Sequence, residues 1–431
     1  MQQYRVNPSK LSGTVTVPSS KSHTLRAILF ASMAEGTSTI TRPLISDDAI
    51  KMIEACRRLG STISVHESHL AITGAGGCIN TIDDVIDAGN SGIVLRFVSA
   101  LMALSRNYGV ITGDMSIRHQ RDMQPLLLAL QQLGTHAIST KNDGYAPIII
   151  RGPLKAGIAR LKGNDSQHVS ALLIAASCVK GTTEIYVDEP GEKPWIALTL
   201  CWLKKMGIEY ENNEYRHLKV HGKGTFPGFD YTVPGDFSSA AFPIAGALIT
   251  GSEITLNNID MDDPQGDKQL ILTLQEMGAN IHINANAKTL EIKSGASLHG
   301  RRLDINDYID ALPILAVIAC FCKGETHITN AAIARGKESN RIQAIASELT
   351  KMGARIQELP DGLIVQESKL QGASLHSHND HRIAMALMCA ALGATGTTYI
   401  DNTECVAKTY PDIAADFKRM GAAVDCANSS T

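Results

Sequence analysis

The sequence has no excess of charge of either sign: 40 Lys and Arg stand against 43 Asp and Glu, a formal net charge of -3. It also lacks basic blocks and any interleaving of basic with aromatic residues. That excludes an extended nucleic-acid surface and makes any anion site local. Long apolar runs are missing too. The most apolar stretch, Ala311 to Cys322, is too short to span a bilayer and reads as a buried helix. The opening MQQYRVNPSK has no apolar core of a secretory signal, so a cytoplasmic protein with no membrane partner is expected. Nine cysteines, an odd number, show no paired metal spacing and lie mostly inside apolar segments, which fits a reducing compartment. Cys320 and Cys322 read as core thiols. Ordered Asp/Glu/His metal spacing, GxGxxG after a strand and GxxxxGK[ST] are all absent, so metal, hydride and ATP chemistries have no visible anchor.

What is present is repetition. Hydrophobic residues make up 44% of the chain and charged residues 19%, an ordinary globular composition with material for two or three domains. A glycine followed by a short β-branched run recurs at Gly36, Gly109, Gly181, Gly251, Gly324 and Gly396, where each glycine reads as closing a helix. A second marker, Leu or Met before glycine, recurs at Gly60, Gly134, Gly207, Gly278, Gly353 and Gly421 and reads as a helix end capped by a left-handed glycine. Two independent markers at one period of about seventy residues imply six copies of one unit.

In the first copy, KSHTLRAILFASMAEG places Leu25, Ile28, Leu29 and Met33 on one helical stripe. TSTITR follows as a strand, Asp47 and Asp48 offer N-caps to a second helix, and STISVHESHLAITG reads as a hairpin. The later copies keep this order, with hairpin turns expected at Asp143-Gly144 and Asp361-Gly362. The sixth copy stops without a returning strand, which Gln3 to Val6 could supply. The chain then divides into an inserted domain, 18–232, and a domain made of both ends, 1–17 plus 233–431, each of three units and joined near Pro18 and Pro234. A continuous six-unit solenoid is the alternative, but it normally shows polar end caps and none is visible.

Equivalent points in the six copies carry KSHTLR (21–26), NSGIVLR (90–96), NDSQHVSAL (164–172), GDFSSAAF (235–242), YIDALPIL (308–315) and NDHRIAMAL (379–387). Each sets a capping residue type at the start of an apolar helix, and capping alone explains those residues. It does not explain the accompanying charge: Lys21 with Arg26, Arg96, Asp310, and His381 with Arg382. Helix N-termini so equipped are ready anion sites. The second helices add Arg121 in SIRHQRDMQP, Lys193 in GEKPW, Lys337, Glu338 and Arg341 in RGKESNR, and Lys408 in VAKTYPD. On a helix, Lys337 and Arg341 would share a face. Lys21, Arg121, Arg341, Arg382 and Lys408, spread over separate copies, point to convergence on a small, multiply charged anion. Among such cations Asp310 and Glu338 would be held ionised, yet able to exchange protons as charge moves.

These motifs, in this order and over essentially the whole chain, resemble the 5-enolpyruvylshikimate-3-phosphate synthase family of enolpyruvyl transferases. PSSKSHTLR, GNSGIVLR, GDMSIRHQRDMQP, DSQHVSAL, GDFSSAAF, RGKESNRI, NDHRIAMA and AKTYPD carry the resemblance. It implies an α/β fold, a two-domain inside-out α/β barrel of six βαβαββ repeats with sheets outside and helices within, and an active site in the cleft between the domains. The implied reaction moves the enolpyruvyl group of phosphoenolpyruvate to the 5-hydroxyl of shikimate 3-phosphate by addition and elimination of phosphate, with no cofactor and no metal, in a monomer. Phosphoenolpyruvate would be held by Lys21, Gly92, Arg121, Gln167, Arg341, Arg382 and Lys408. Shikimate 3-phosphate would be held by Lys21, Ser22, Arg26, Ser166, Gln167, Asp310 and Lys337. Asp310 would take the 5-hydroxyl proton, Glu338 with Lys21 or Lys408 would manage the methylene proton, and His381 would assist.

The sequence departs from that pattern in places. Asp165 and Glu192 stand where the resemblance leads one to expect phosphate-binding serines, with Lys193 beside Glu192 as a compensating cation. SIRHQRDMQP carries one extra residue, and Arg121 rather than Arg118 is taken as its ligand. Asn340 replaces an acidic residue before Arg341, and Phe97 a residue that is often proline or leucine. Two other readings remain: the related transferase acting on UDP-N-acetylglucosamine, which uses a loop cysteine although none occurs between Cys78 and Cys178, and a non-catalytic repeat protein that binds phosphorylated metabolites.

Overall fold

The computed structural model describes residues 2–79 and 82–428. The chain forms two compact units, one made of Ser19–Val233 and the other of the described residues of Met1–Pro18 and Pro234–Thr431. Among the described residues there are six four-stranded sheets, three in each unit, and all six have one plan. The first strand runs parallel to the second, which pairs antiparallel with a third, which pairs antiparallel with a fourth. In the Ser19–Val233 unit one sheet takes Ile158–Lys162, Gly181–Asp188, His217–Gly222 and Glu209–Asn213 in that spatial order.

Three sheets are completed by strands far away in sequence. Asp230–Thr232 lies parallel to Thr37–Thr41, and Ser12–Thr16 lies parallel to Glu253–Asn257. The returning strand of the sixth copy is Gln2–Asn7, antiparallel to both Thr398–Asp401 and Ala423–Asn428. Strands alternate buried with more exposed positions, as in Ile158–Lys162, where Ala159 and Leu161 face inward. One face therefore covers a core and the other meets solvent.

Inside each unit sit three helices buried almost all round. They are Lys21–Met33, Gly92–Met102 and Ser166–Ser177 in one unit, and Phe237–Thr250, Leu312–Cys320 and His381–Leu392 in the other. A helix apolar on every side belongs in a core, and the sheets and amphipathic helices such as Asp47–Arg58 supply its cover. Cys320 and Cys322 are buried free thiols at the end of one such helix.

The glycine markers have mixed physical causes. All six of the Leu/Met-Gly set have positive φ, between 69° and 115°. Of the first set, Gly109 does not: it opens a strand, and a Cβ there would fall 2.5 Å from Met102 Cε. Gly362 is the first residue of its strand and pairs with Leu359 across the turn Pro360-Asp361, and a Cβ there would meet the Ile328 carbonyl oxygen at 1.8 Å. Asp47 and Asp48 are not N-caps: Ser46 caps that helix, accepting the Ala49 N–H, and both aspartates lie in its first turn.

Candidate active site

In the unit built from both chain ends, Asp310, Glu338, Arg341, Arg382 and Lys408 form one connected cluster. Arg341 opens the helix Arg341–Lys351, whose N-cap Asn340 accepts the Gln343 N–H. Arg382 lies in the first turn of His381–Leu392, whose N-cap Asp380 accepts the Arg382 N–H at 2.9 Å. Both arginines thus sit where the helix dipole disfavours a cation, so neighbouring carboxylates must compensate.

They do so with short contacts. Arg341 donates to Asp310 at 2.7 Å, to Glu338 at 2.6 Å and, through Nε, to Asp380 at 2.8 Å. Arg382 donates to the other Asp310 oxygen at 2.8 Å, and Lys408 Nζ lies 3.1 Å from Glu338 Oε1. Burial alone would raise the Asp310 pKa, but Arg382, Arg341 and Lys337 outweigh it and hold the carboxylate well below its ordinary range. Arg341 is held above its ordinary value: burial works against the cation, and Asp380, Glu338 and Asp310 overcome it. His381 is buried beside this cluster, with Nδ1 3.6 Å from Asp380.

Lys337 and Arg341 do not share a helix face as the sequence suggested. Ala332–Gly336 is a 3-10 turn, Lys337 has extended ψ, and the helix starts only at Arg341. Asn340 ends the irregular segment because its side chain caps the helix instead of continuing one. Glu338 still reaches Arg341 from outside the helix.

The Ser19–Val233 unit gathers a second set around Arg96. Its guanidinium donates to Gln167 Oε1 at 3.0 Å, to His168 Nε2 at 3.0 Å and to the Asp122 carbonyl at 3.1 Å, and pairs with Asp165 at 3.0 Å. Burial lowers the Arg96 pKa, Asp165 opposes that, and nearby Arg121 adds to it. His168 is also lowered, by burial and by Arg96. Gly92 faces this group: an added Cβ would lie 2.8 Å from Arg96 Nη1, 3.4 Å from Gln167 Oε1 and 3.8 Å from Arg121 Cδ. Arg121 is buried in the loop between Met115–His119 and Gln124–Gln132, which places it, and not Arg118, beside Gly92.

The remaining residues of this unit are engaged internally. Lys21 Nζ lies 3.5 Å from buried Asp48. Arg26 donates to Thr199 Oγ1 and to the Ser22 and Trp195 carbonyls, and lies over the Phe97 ring at 5.1 Å. Burial pulls Arg26 down to about 9, still charged at neutral pH. Ser166 donates both its N–H and its hydroxyl to Glu192, at 3.2 and 3.1 Å. Glu192 is buried with a left-handed backbone at φ 45°, while Lys193 is exposed.

Several participants were not singled out from sequence. Asp380 sits inside NDHR but reads there as a helix cap, which it also is. Asp48 reads locally only as a helix cap and Thr199 carries no local signal, since their partners Lys21 and Arg26 are distant in the chain. Arg96 was visible as an unexplained charge without a role.

The comparisons with known proteins agree with this arrangement of motifs. The family model for EPSP synthase (3-phosphoshikimate 1-carboxyvinyltransferase) matches residues 6–417. A protein of that name from Acetivibrio thermocellus is 45% identical over 418 residues, covering 97% of this chain and 98% of its own. Another from Chlamydia caviae is 46% identical, covering 96% of this chain and 92% of its own. The solved EPSP synthase of Acinetobacter baumannii superposes with a TM-score of 0.84 at 29% identity, covering 99% of this chain and all of that one. The chain belongs to the EPSP synthase family.

Proposed function

We propose that this chain is a 3-phosphoshikimate 1-carboxyvinyltransferase, joining the enolpyruvyl group of phosphoenolpyruvate to the 5-oxygen of shikimate 3-phosphate and releasing phosphate. The observation that carries the reading is the cluster in which two carboxylates of acid-base type, Asp310 and Glu338, are interleaved with Arg341, Arg382 and Lys408. Both substrates are multiply charged anions and repel each other, so bringing them together needs many cations. Lys21, Gly92, Arg121, Gln167, Arg341, Arg382 and Lys408 are assigned to phosphoenolpyruvate. Ser22, Arg26, Ser166 and Lys337, with Lys21, Gln167 and Asp310, are assigned to shikimate 3-phosphate.

In this cluster Asp310 is a weak base, because each of its oxygens already receives a guanidinium N–H. Substrate carboxylate and phosphate groups compete for those same donors, and every donor withdrawn raises the basicity of Asp310. The 5-hydroxyl then gives its proton to Asp310 while its oxygen attacks C2 of the enolpyruvyl group. The methylene carbon takes a proton that originates on the ammonium of Lys21 or Lys408 and is relayed by Glu338, 3.1 Å from Lys408 Nζ, to form a tetrahedral adduct. The same Glu338 and lysine relay then takes a proton back from that methyl group as phosphate leaves, which restores the double bond. His381 supports this step from the Asp380 side.

A coupled assay for phosphate release tests the reading. Turnover that requires both substrates is expected; binding of both without phosphate release would leave a metabolite-binding protein instead.

A further inference from the structure

The helix Arg341–Lys351 carries another buried carboxylate, two turns beyond Arg341. Glu348 is 1% exposed and receives donors from three directions. Lys351 Nζ lies 2.8 Å from each oxygen, the His378 ring donates from Nε2 at 2.8 Å, and the His376 backbone N–H donates at 3.0 Å. Burial would push this carboxyl up, but His378, Lys351 and the His376 N–H bring it down to about 2.

What Glu348 grips is a loop under backbone strain. His378 and Asn379 are consecutive non-glycine residues at φ 55°, between the strand Ser374–His376 and the helix His381–Leu392. Left-handed backbone at two such residues in a row persists only where the surroundings enforce it. Here the His378 N–H donates to His376 Nδ1 at 2.9 Å, the Asn379 N–H to Ser377 Oγ at 3.1 Å and the Asp380 N–H to the Ser377 carbonyl at 3.0 Å. Ser377 Oγ in turn donates to the Asn402 carbonyl at 2.9 Å, and the Asn402 amide lies 2.7 Å from His376 Nε2. Asn402, at φ 58°, opens the turn Thr403–Lys408.

One carboxylate therefore ties together three segments. It stands on the helix that begins with Arg341, grips the loop that ends in Asp380, the N-cap of the Arg382 helix, and through His376 and Asn402 reaches the turn that ends in Lys408. Resting on the reading above, we propose that Glu348 is a positioning residue of the acid-base cluster, holding Asp380 where it orients Arg341 and starts the Arg382 helix. It touches no substrate. Its effect is on the geometry of the groups assigned to phosphoenolpyruvate.

The test uses the full chain. Parental turnover with both substrates is measured first; its absence would overturn the functional reading and leave nothing for Glu348 to position. Glu348→Gln keeps the shape and removes the charge, and His378→Ala removes the ring that Glu348 holds. Both are expected to raise KM for phosphoenolpyruvate tenfold or more and to lower kcat, with affinity for shikimate 3-phosphate alone changed less than twofold. Lys351→Met, which removes the half-exposed partner on the same helix, is expected to leave both constants at the parental values. Glu348→Gln with parental kcat and KM, or with a lowered melting temperature as its only effect, would overturn the inference. So would Lys351→Met reproducing the Glu348→Gln loss, because the helix ion pair and not the loop would then be what matters.

Discussion

The two units repeat one sheet plan, yet they handle their cations differently. In the unit of both chain ends, Arg341 and Arg382 are balanced by Asp310, Glu338 and Asp380, and two of those carboxylates are the groups assigned to proton transfer. In the Ser19–Val233 unit the balancing carboxylates are Asp48, Asp165 and Glu192, and none of them has an assigned chemical step. A buried cation needs a partner in either place. On the proposed assignment the partner in one unit is also a reagent, whereas in the other it would compete with the substrate for the same donors.

The largest effect should come from the reagent side. Asp310→Ala removes the base and should lower kcat by roughly 10²–10⁴-fold, the usual worth of a positioned general base, with binding of both substrates largely kept. Steady-state kinetics at saturating substrate reads this directly, and parental kcat would strip Asp310 of its role. Arg341→Met comes next. It takes the Arg341 guanidinium from Asp380, which keeps the Arg382 N–H and the Ser339 hydroxyl, and leaves Asp310 and Glu338 with fewer partners, so beyond a loss of phosphoenolpyruvate affinity it should cost about 3–5 kcal/mol in denaturant unfolding, as breaking a buried pair does. A fall well below that range would mean that the cluster relaxes or fills with water, and the contrast between the two units would weaken.

How much of this was legible depended on whether the signal was local. The six copies, the hairpins and the strand Gln2–Asn7 were readable because period, alternation and turn chemistry are written within short windows. The pairing of Lys21 with Asp48, or of Arg26 with Thr199, was not, because it joins segments that only the folded unit brings together. Asp380 was hidden differently: its capping role accounts for an aspartate at that point, and nothing local shows that the same carboxylate also receives the Arg341 Nε–H. RGKESNR misled for a related reason, since helical spacing puts Lys337 over Arg341 while Asn340 begins the helix only afterwards. Asp165 and Glu192 were noticed only as departures from the family pattern. Their contacts turn those departures into an arrangement: Asp165 pairs with Arg96, and Glu192 takes both Ser166 donors.

That arrangement sets the third prediction. The Glu192 carboxyl, bonded to Ser166 at the start of the helix Ser166–Ser177, occupies donors that a phosphate would use, and any negative charge on it would repel a phosphate dianion besides. Glu192→Ser should therefore lower KM for shikimate 3-phosphate by about tenfold with kcat little changed. An increase in KM would show instead that Glu192 holds Ser166 in a productive orientation, and the competition ascribed to this unit would be wrong.

The smallest effect is expected at Gly92, on the phosphoenolpyruvate side of the same unit. A methyl group there would lie 2.8 Å from Arg96 Nη1, the far end of a long side chain, and 3.4 Å from Gln167 Oε1. The backbone φ of Gly92 is not positive, so alanine adds no torsional strain and the helix should tolerate it. Arg96 must nevertheless give by a few tenths of an ångström while its four contacts to Gln167, His168, Asp122 and Asp165 resist. Gly92→Ala should accordingly raise KM for phosphoenolpyruvate several-fold and leave KM for shikimate 3-phosphate near the parental value. Equal rises in both constants would mean that the Arg96 network serves the two substrates together, which would remove the division of labour assigned to Gly92 and Glu192 within this unit.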